Sequence, residues 1–332
     1  MALPTYSAAL AHGSVLLKDF RFQSGAVLPE LRIHLRTLGD SRNPAVLALH
    51  ATAGCAADLL KPEFGGALFG AGQPLDAARN FIILPDALGA GQSSKPSDGL
   101  RMQFPEYDYA DMVHAQRRVL LEGLGITHLK WVIGHSMGGM HAWLWATQYA
   151  DCVDAIVPLA CVPSAMAGRN WMMRRFIVDS IRRDPAWQGG NYAVQPPSAQ
   201  FASVYANVAT SGGQAALLAA APSAAAADAW LDAKLNASFA PDANDLIYQW
   251  QASRNYDPSP SLHRIQARVL AINAADDERL PPDSSDLSQM LAAIPRSHLH
   301  IIPVGLHSCG HATTASAAAW AGVLSNFMGG QN

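Results

Sequence analysis

The chain has 332 residues, half of them hydrophobic and only 15% charged, with a formal net charge of −3. This length supports one large core with an appended subdomain, and the absence of a basic excess argues against nucleic acid as a partner. No apolar run is long enough to span a bilayer, and residues 1–12 lack a basic segment ahead of a hydrophobic one, so a cytoplasmic protein without a membrane partner is expected. The four cysteines lack metal-ligand spacing, and neither a metal nor a cofactor is predicted.

Short apolar segments alternate with amphipathic stretches along most of the chain. Strands are predicted at residues 30–37, 45–50, 81–85, 129–133, 155–159, 268–273 and 298–303. Helices are predicted at residues 109–124, 137–149, 284–293 and 313–327. Several of the strands are apolar throughout, as expected for strands that are covered on both faces. The alternation predicts an α/β fold with a mostly parallel, doubly wound sheet.

One interval interrupts this alternation. Residues 163–262 contain no convincing strand and are rich in Ala, Met and Trp. Because a structureless loop of that length is implausible in a compact domain, the interval is predicted to form an inserted helical cap, or lid. The core domain then comprises residues 1–162 and 263–332. Within the cap, residues 213–235 are predicted to form a helical hairpin that is broken at Pro222.

A G-x-S-x-G pentapeptide, residues 134–138, directly follows the predicted strand 129–133 and leads into the predicted helix 137–149. A chain that turns from a strand into a helix within a few residues forces the central residue into a strained conformation, and Gly is needed at the flanking positions. The turn then lifts the hydroxyl of Ser136 clear of the sheet. Ser136 is therefore predicted to be a nucleophile; the alternative is a Gly-rich turn with an incidental serine.

A serine hydroxyl needs a base to remove its proton, and the base needs an acid to orient it. In strand–turn–helix sites of this type both partners follow later strands, in the order Ser, acid, His. Asp276 and Asp277 follow the strand 268–273, and their spacing from it favours Asp277 as the acid. His307 and His311 follow the last strand, and His311 is favoured as the base because it would open the final helix.

Acyl transfer at Ser136 would also need donors for the negative charge that develops on the carbonyl oxygen. One is expected from the backbone N–H of Met137, which follows the nucleophile. The second is expected from the loop after the strand 45–50, where position alone selects the N–H of Thr52.

With these residues in place, the chain resembles the α/β-hydrolase superfamily over nearly its full length. More narrowly, it is similar to the branch that contains homoserine O-acetyltransferase. The similar segments are residues 50–54 (H-A-T-A-G), 104–105, 111–113, 134–140 (G-H-S-M-G-G-M), 174–192 and 310–311. The resemblance implies a capped hydrolase fold and an acyl-enzyme on Ser136.

The turn at residues 86–96 departs from that branch. Its sequence, D-A-L-G-A-G-Q-S-S-K-P, is similar instead to the D-x-x-G-x-G-x-S-x-x-P turn of ordinary ester hydrolases, and Asp86 is expected to fix the loop by accepting hydrogen bonds. The favoured function is therefore a serine esterase that cleaves a small-molecule carboxylic ester. An O-acyltransferase with the same acyl-enzyme is the alternative, and a non-catalytic binding protein is the third hypothesis. The oligomeric state is left open, with a homodimer as one option.

Side chains of the predicted cap allow two interpretations. Its large apolar residues could line an acyl pocket, but at helical spacing they more often form core between cap and sheet. These residues are Trp171, Met172, Met173, Trp187, Phe201 and Trp230. Arg169, Arg174 and Arg175 could meet a substrate carboxylate, although a solvated helix face is the favoured interpretation.

Overall fold

The computed structural model describes residues 6, 8–281 and 287–330. The strands are β1 (Leu10–Arg21), β2 (Val27–Leu38), β3 (Ala45–Leu49), β4 (Phe81–Pro85), β5 (Leu129–His135), β6 (Val153–Leu159), β7 (Arg268–Ala274) and β8 (Ser297–Ile302). They form one sheet in the order β1-β2-β4-β3-β5-β6-β7-β8. Strands β3 to β8 run parallel, whereas β2 pairs antiparallel with both β1 and β4. The predicted mostly parallel α/β sheet is confirmed.

Helices connect the parallel strands and cover the sheet. The α-helices are α1 (Gly65–Leu68), α2 (Tyr109–Arg118), α3 (Met137–Gln148), α4 (Gly168–Arg183), α5 (Pro197–Thr210), α6 (Gln214–Ala220), α7 (Ala224–Leu235), α8 (Ala243–Gln251), α9 (Leu287–Ala292) and α10 (Ala321–Met328). Of the predicted helix 284–293, residues 284–286 lie outside the described residues, and α9 accounts for most of the remainder.

The central strands are covered on both faces. Every residue of β3 and β4 is buried. Leu47 and Leu49 belong to the core cluster that contains residues of α2 and α3, whereas Val46 and Ala48 belong to the opposite cluster with residues of α1 and α10. Burial on both faces explains why these strands appear in the sequence as continuous apolar runs.

Strand β1 is an element that the sequence pattern did not predict. Most of its residues are exposed, and within it Leu17 and Phe20 are the buried positions. Its register with β2 runs from Leu10 opposite Leu38 to Arg21 opposite Val27. Because β1 lies at the edge of the sheet, backbone pairing defines it more than burial does, and its apolar alternation is correspondingly weak.

The predicted helix 109–124 is shorter than expected. Helix α2 ends at Arg118, and Val119–Gly123 forms a π-helical turn. Gly123 packs directly against Val15 of β1, since a Cβ at this position would lie 2.4 Å from a Val15 methyl carbon. The chain therefore changes from α-helical to π-helical winding where it contacts β1, a strand that was not predicted.

The predicted helix 313–327 begins later than expected. Two 3-10 segments, Gly310–Ala315 and Ala317–Ala319, precede α10. Thr313 Oγ1 accepts a hydrogen bond from the Cys309 N–H, so a hydroxyl competes with the backbone for this donor. His311 accordingly lies in a 3-10 turn, and the expectation that it opens the final helix was wrong.

Between β6 and β7 the chain is helical, as predicted, and residues 160–267, all of which are described, contain no strand. Helix α4 packs against both α5 and α8. The predicted hairpin at 213–235 is confirmed as α6 and α7, with Pro222 between them. The exact division into core and cap domains stays a prediction.

Candidate active site

The G-x-S-x-G pentapeptide forms a strained turn between β5 and α3. Ser136 has φ 53° and ψ −108°, in the region of backbone space that non-glycine residues avoid. A Cβ at Gly134 would lie 2.3 Å from the backbone of Gly138, and a Cβ at Gly138 would lie 2.2 Å from the Leu49 carbonyl oxygen. The glycines are therefore required by close backbone approach.

Ser136, His311 and Asp277 form one hydrogen-bonded chain. His311 Nε2 lies 3.0 Å from Ser136 Oγ, and His311 Nδ1 lies 2.8 Å from Asp277 Oδ2. The other carboxylate oxygen of Asp277 accepts hydrogen bonds from the N–H groups of Arg279 and Leu280, each 2.9 Å long. All three side chains are buried. With Asp277 accepting from Nδ1–H, Nε2 is left to accept the serine proton.

Asp276 has a different set of contacts from its neighbour. Its Oδ2 accepts a hydrogen bond of 2.8 Å from the Gly310 N–H, and its Oδ1 lies 3.5 Å from Thr313 Oγ1. Asp276 therefore holds the loop that carries His311 rather than the imidazole itself. The other histidine considered, His307, is exposed on the loop after β8.

The two expected oxyanion donors lie beside Ser136. Met137 is the first residue of α3, where backbone N–H groups have no partner within the helix. Thr52 lies in the loop after β3, next to Ala53 at φ 59°, and it lines the cavity that contains Ser136. Neither N–H donates a hydrogen bond to another residue in the described part of the chain. Both donors are therefore free for a substrate oxygen.

His50 holds the loop that contains Thr52 in place through two hydrogen bonds. Its Nδ1–H donates to the Ala51 carbonyl oxygen at 2.8 Å, and its Nε2 accepts from the Ala87 N–H at 2.9 Å. Because one ring nitrogen accepts from an amide, the imidazole must be neutral. Burial lowers the pKa of His50 below its usual value, which is consistent with that requirement.

The turn that follows β4 is fixed by Asp86, as predicted. Its carboxylate accepts hydrogen bonds from the N–H groups of Ala56 at 2.8 Å and Gln92 at 3.0 Å. The same carboxylate pairs with His34 and Arg36 of β2. Asp86 thus ties the turn to two neighbouring segments and lies outside the Ser136 chain.

A cavity of about 290 Å³ opens beside Ser136. The chain between β6 and β7 contributes Ala206 of α5 and the apolar side chains of Phe239, Leu246 and Trp250 to its wall. None of the six large cap residues singled out from the sequence lines it. Met172, Met173 and Phe201 instead line a separate cavity of about 700 Å³. Met172 and Phe201 are exposed, so the core interpretation does not hold for these two.

The predicted environment of Arg174 was wrong, and the position of Arg279 in the site was not predicted. Arg174, expected on a solvated face, is completely buried, donates to Asn170 Oδ1 at 3.0 Å and stacks on Trp250. Arg279 lines the Ser136 cavity, a position that the sequence pattern did not predict. Its position two residues after Asp277 was the one sequence signal that could have indicated it.

Burial lowers the pKa of His311 below the ordinary value for histidine; the charges of Arg279 and Arg174 lower it further, and Asp277 opposes them. A general base must be neutral to accept a proton, so turnover is lost as pH falls through this lowered pKa. We predict that the acid side of the kcat/KM profile for a neutral ester has its midpoint below pH 6.5. A midpoint above pH 7 would contradict the assigned environment.

Among the described residues there is no group of three or more His, Cys, Asp or Glu side chains that could hold a metal ion. No helix in the same part of the chain has the length and apolar character needed to cross a membrane.

Comparisons with known proteins identify the fold family of the chain. The alpha/beta hydrolase fold family model matches residues 44–309. A protein of Methanothermobacter thermautotrophicus named a probable acyltransferase is 27% identical over 95% of this chain and 96% of its own length. A homoserine O-acetyltransferase of Moorella thermoacetica is 37% identical, but the match spans only 51% of this chain and 50% of that enzyme.

Among solved structures, an acetylester hydrolase from Corynebacterium glutamicum superposes with a TM-score of 0.81. It is 21% identical and the match covers 95% of each chain. At that identity the likeness concerns the fold, which agrees with the match of the family model over most of the chain. The chain therefore belongs to the alpha/beta hydrolase fold family.

Proposed function

We propose that this protein is a serine-dependent ester hydrolase that acts through an acyl-enzyme on Ser136. The observation that supports this most directly is the hydrogen-bonded chain from Ser136 Oγ to His311 Nε2, at 3.0 Å, and from His311 Nδ1 to Asp277, at 2.8 Å. Nucleophile, base and orienting acid are then in contact before substrate arrives.

In the first half of the proposed reaction, Ser136 Oγ bonds to the ester carbonyl carbon while His311 Nε2 takes the hydroxyl proton. The carbonyl oxygen becomes an oxyanion, which the N–H groups of Met137 and Thr52 stabilise. When the oxyanion collapses, the bond to the alcohol oxygen breaks and His311 returns the proton to that oxygen. The alcohol leaves, and the acyl group stays on Ser136.

The second half repeats these steps with water. His311 Nε2 removes a proton from water as the oxygen attacks the acyl carbon, and the proton then passes to Ser136 Oγ as the free acid leaves. Asp277 stabilises the imidazolium that forms in each half without itself becoming protonated.

His135 is the other imidazole that lines the cavity, and it is not proposed as the base. Burial lowers its pKa to about 3, and its Nε2 lies 3.4 Å from the backbone oxygen of His311. No hydrogen bond joins it to Ser136 Oγ in the described structure. It is therefore a neutral wall residue that packs against His311.

An O-acyltransferase is the second candidate, because the full-length relative and the partial relatives bear acyltransferase names. Both reactions would share the acyl-enzyme and would differ in whether an alcohol or water removes the acyl group. The ester-hydrolase-like turn held by Asp86 favours water, and the sequence contains no motif for a preorganised alcohol site, which transfer would require.

The partition of the acyl group between water and alcohols tests this choice. The acyl-enzyme is generated from an aryl acetate, and homoserine, serine and simple alcohols are added at millimolar concentrations, with acetyl-CoA tried separately as donor. We predict that free acetate dominates with every acceptor and that acetyl-CoA acylates slowly. Acylated alcohol as the main product with any one acceptor, or rapid acylation by acetyl-CoA, would replace hydrolysis with transfer.

A further inference from the structure

The cavity beside Ser136 has an unusual charge distribution. Among the described residues that line it, Arg279 is the one with a permanent charge, and no Asp, Glu or Lys is present. His135 and His311 also line it, but burial lowers the pKa of both below 6.5, so both are neutral at pH 7. The cavity is therefore cationic at neutral pH.

The Arg279 guanidinium is only partly used within the protein. Its Nε and Nη2 donate to Thr210 Oγ1 at 3.3 and 3.0 Å, and Nη2 also donates to Ser211 Oγ at 2.5 Å. These partners are neutral hydroxyls. Within the described residues, no hydrogen bond uses Nη1 and no carboxylate lies within 4.0 Å of the side chain. One edge of a planar, doubly donating group is left free.

The nearby carboxylates do not bind the free edge of the Arg279 guanidinium. Asp277 accepts from His311 and from two backbone N–H groups, and it is absent from the cavity wall. Glu278 lines a neighbouring cavity whose wall also includes Arg279, but no ion pair joins these two side chains among the described residues. Arg279 is only 8% exposed, so its charge is largely removed from bulk water. A buried cation without an anionic partner is costly, and a ligand anion would offset that cost.

A second buried cation strengthens the positive potential. The guanidinium carbons of Arg279 and Arg174 lie 5.9 and 5.1 Å from the ring centroid of Trp250. Burial, followed by the charge of Arg174, lowers the pKa of Arg279 to about 10, which still leaves it cationic at pH 7. Both cations therefore lie close to the ring of Trp250, and Arg279 lines the cavity.

We infer that the substrate of the proposed esterase carries a carboxylate, which pairs with the free edge of Arg279 while the ester carbonyl lies at Ser136. The inference rests on the proposed function and adds the substrate class. Arginine suits this role because its planar fork matches the two oxygens of a carboxylate. The cavity volume of about 290 Å³ restricts the ester to a small one. The carboxylate could belong to the acyl part or to the alcohol part.

Two matched ester pairs distinguish these sources. For the acyl side, the 4-nitrophenyl monoester of adipic acid is compared with the corresponding ester of the monoamide, which is neutral and nearly isosteric. For the alcohol side, the acetate ester of 4-hydroxybutyrate is compared with that of 4-hydroxybutyramide. In at least one pair we expect kcat/KM for the anion to exceed that for the amide by on the order of 10- to 100-fold, as a charge-assisted hydrogen bond implies.

The variants test whether Arg279 is responsible for this preference. Arg279→Gln should remove the preference while neutral esters are still hydrolysed, and Arg279→Lys should keep part of it because the charge remains without the fork. Arg169→Gln is the matched control, because Arg169 lines neighbouring cavities but not the one at Ser136. It should leave the preference unchanged.

The outcomes separate the two proposals. If the wild type hydrolyses all four esters with anion-to-amide ratios within about twofold of one, well below the effect of a charge-assisted bond, the carboxylate inference fails and the esterase proposal stands. If it hydrolyses none of them, the esterase proposal itself fails. Should Arg279→Gln not fold, competitive inhibition of the wild type by adipate against adipamide decides, and equal inhibition would overturn the inference.

Discussion

Replacement of Ser136 with alanine is expected to lower kcat for any ester by on the order of 10⁴- to 10⁶-fold, because the acyl-enzyme cannot form. The fold should be retained. The side chain is small, the strained backbone at φ 53° is held by the surrounding turn, and alanine tolerates this conformation about as well as serine does. His311 also keeps its hydrogen bond to Asp277.

Steady-state kinetics and thermal unfolding of the purified variant measure both parts of this prediction. Ser180→Ala is a suitable control, since Ser180 is exposed on α4 and lies outside the Ser136 cavity. It should match the wild type in turnover and in labelling by a fluorophosphonate probe, whereas Ser136→Ala should not be labelled. Turnover by Ser136→Ala within about tenfold of the wild type would rule out Ser136 as nucleophile, because loss of a nucleophile has far larger effects.

Asp277→Asn is expected to lower kcat by about 10⁴-fold, because an asparagine amide no longer holds the tautomer in which Nδ1 of His311 carries the proton. Asp276→Asn offers a matched comparison at the adjacent position. Its side-chain oxygen can still accept the hydrogen bond from the Gly310 N–H, so the loop that carries His311 should stay in place. We expect a loss of about tenfold or less for this variant, the scale of one weakened charge-assisted hydrogen bond.

The ranking of these two variants is measured with one aryl ester and at a pH where His311 is neutral. Equal losses would mean that loop position matters as much as imidazole orientation. A larger loss from Asp276→Asn would show that the carboxylate nearest the imidazole in the structure is not the one that orients it during turnover.

Much of the site was predictable because its chemistry demands particular residues at particular points of the chain. The strained turn at Ser136 needs glycines at fixed positions, and these are visible in the sequence. The choice of Asp277 over Asp276 rested on spacing alone, and the two adjacent carboxylates turn out to bond to different groups. Side chains that follow parallel strands meet at one edge of the sheet, which explains why order along the chain was informative.

The cavity wall was not predictable in the same way. Phe239, Leu246 and Trp250 line it because of how the chain between β6 and β7 packs beside Ser136, and helical spacing does not report which face a neighbour will cover. The burial of Arg174 against Trp250 is a tertiary event of the same kind. The prediction for Phe201 was wrong in the opposite direction. Its size and apolar character suggested that it would be buried, but it is exposed.

The predicted start of the last helix was wrong because a side-chain hydrogen bond competes there with the helical pattern. In the 3-10 turn that contains His311, Thr313 Oγ1 accepts a hydrogen bond from the Cys309 N–H. The pattern of apolar residues in the sequence does not indicate this hydrogen bond. Strand β1 escaped prediction because most of its side chains are exposed and its partner strand supplies the hydrogen bonds. Strand β1 lies at the edge of the sheet, where burial is the weakest guide, whereas the turn that contains His311 is buried.

Ester cleavage is proposed to pass through an acyl group on Ser136. This proposal is tested most directly by quenching the wild-type protein in acid during turnover of an aryl acetate and locating the acyl group by peptide mass mapping. We expect one acetyl group on the peptide that contains Ser136, formed in a burst equal to the enzyme concentration and absent from Ser136→Ala. Sustained turnover with no acylated peptide, or acetyl on a different residue at the same rate as product formation, would contradict it.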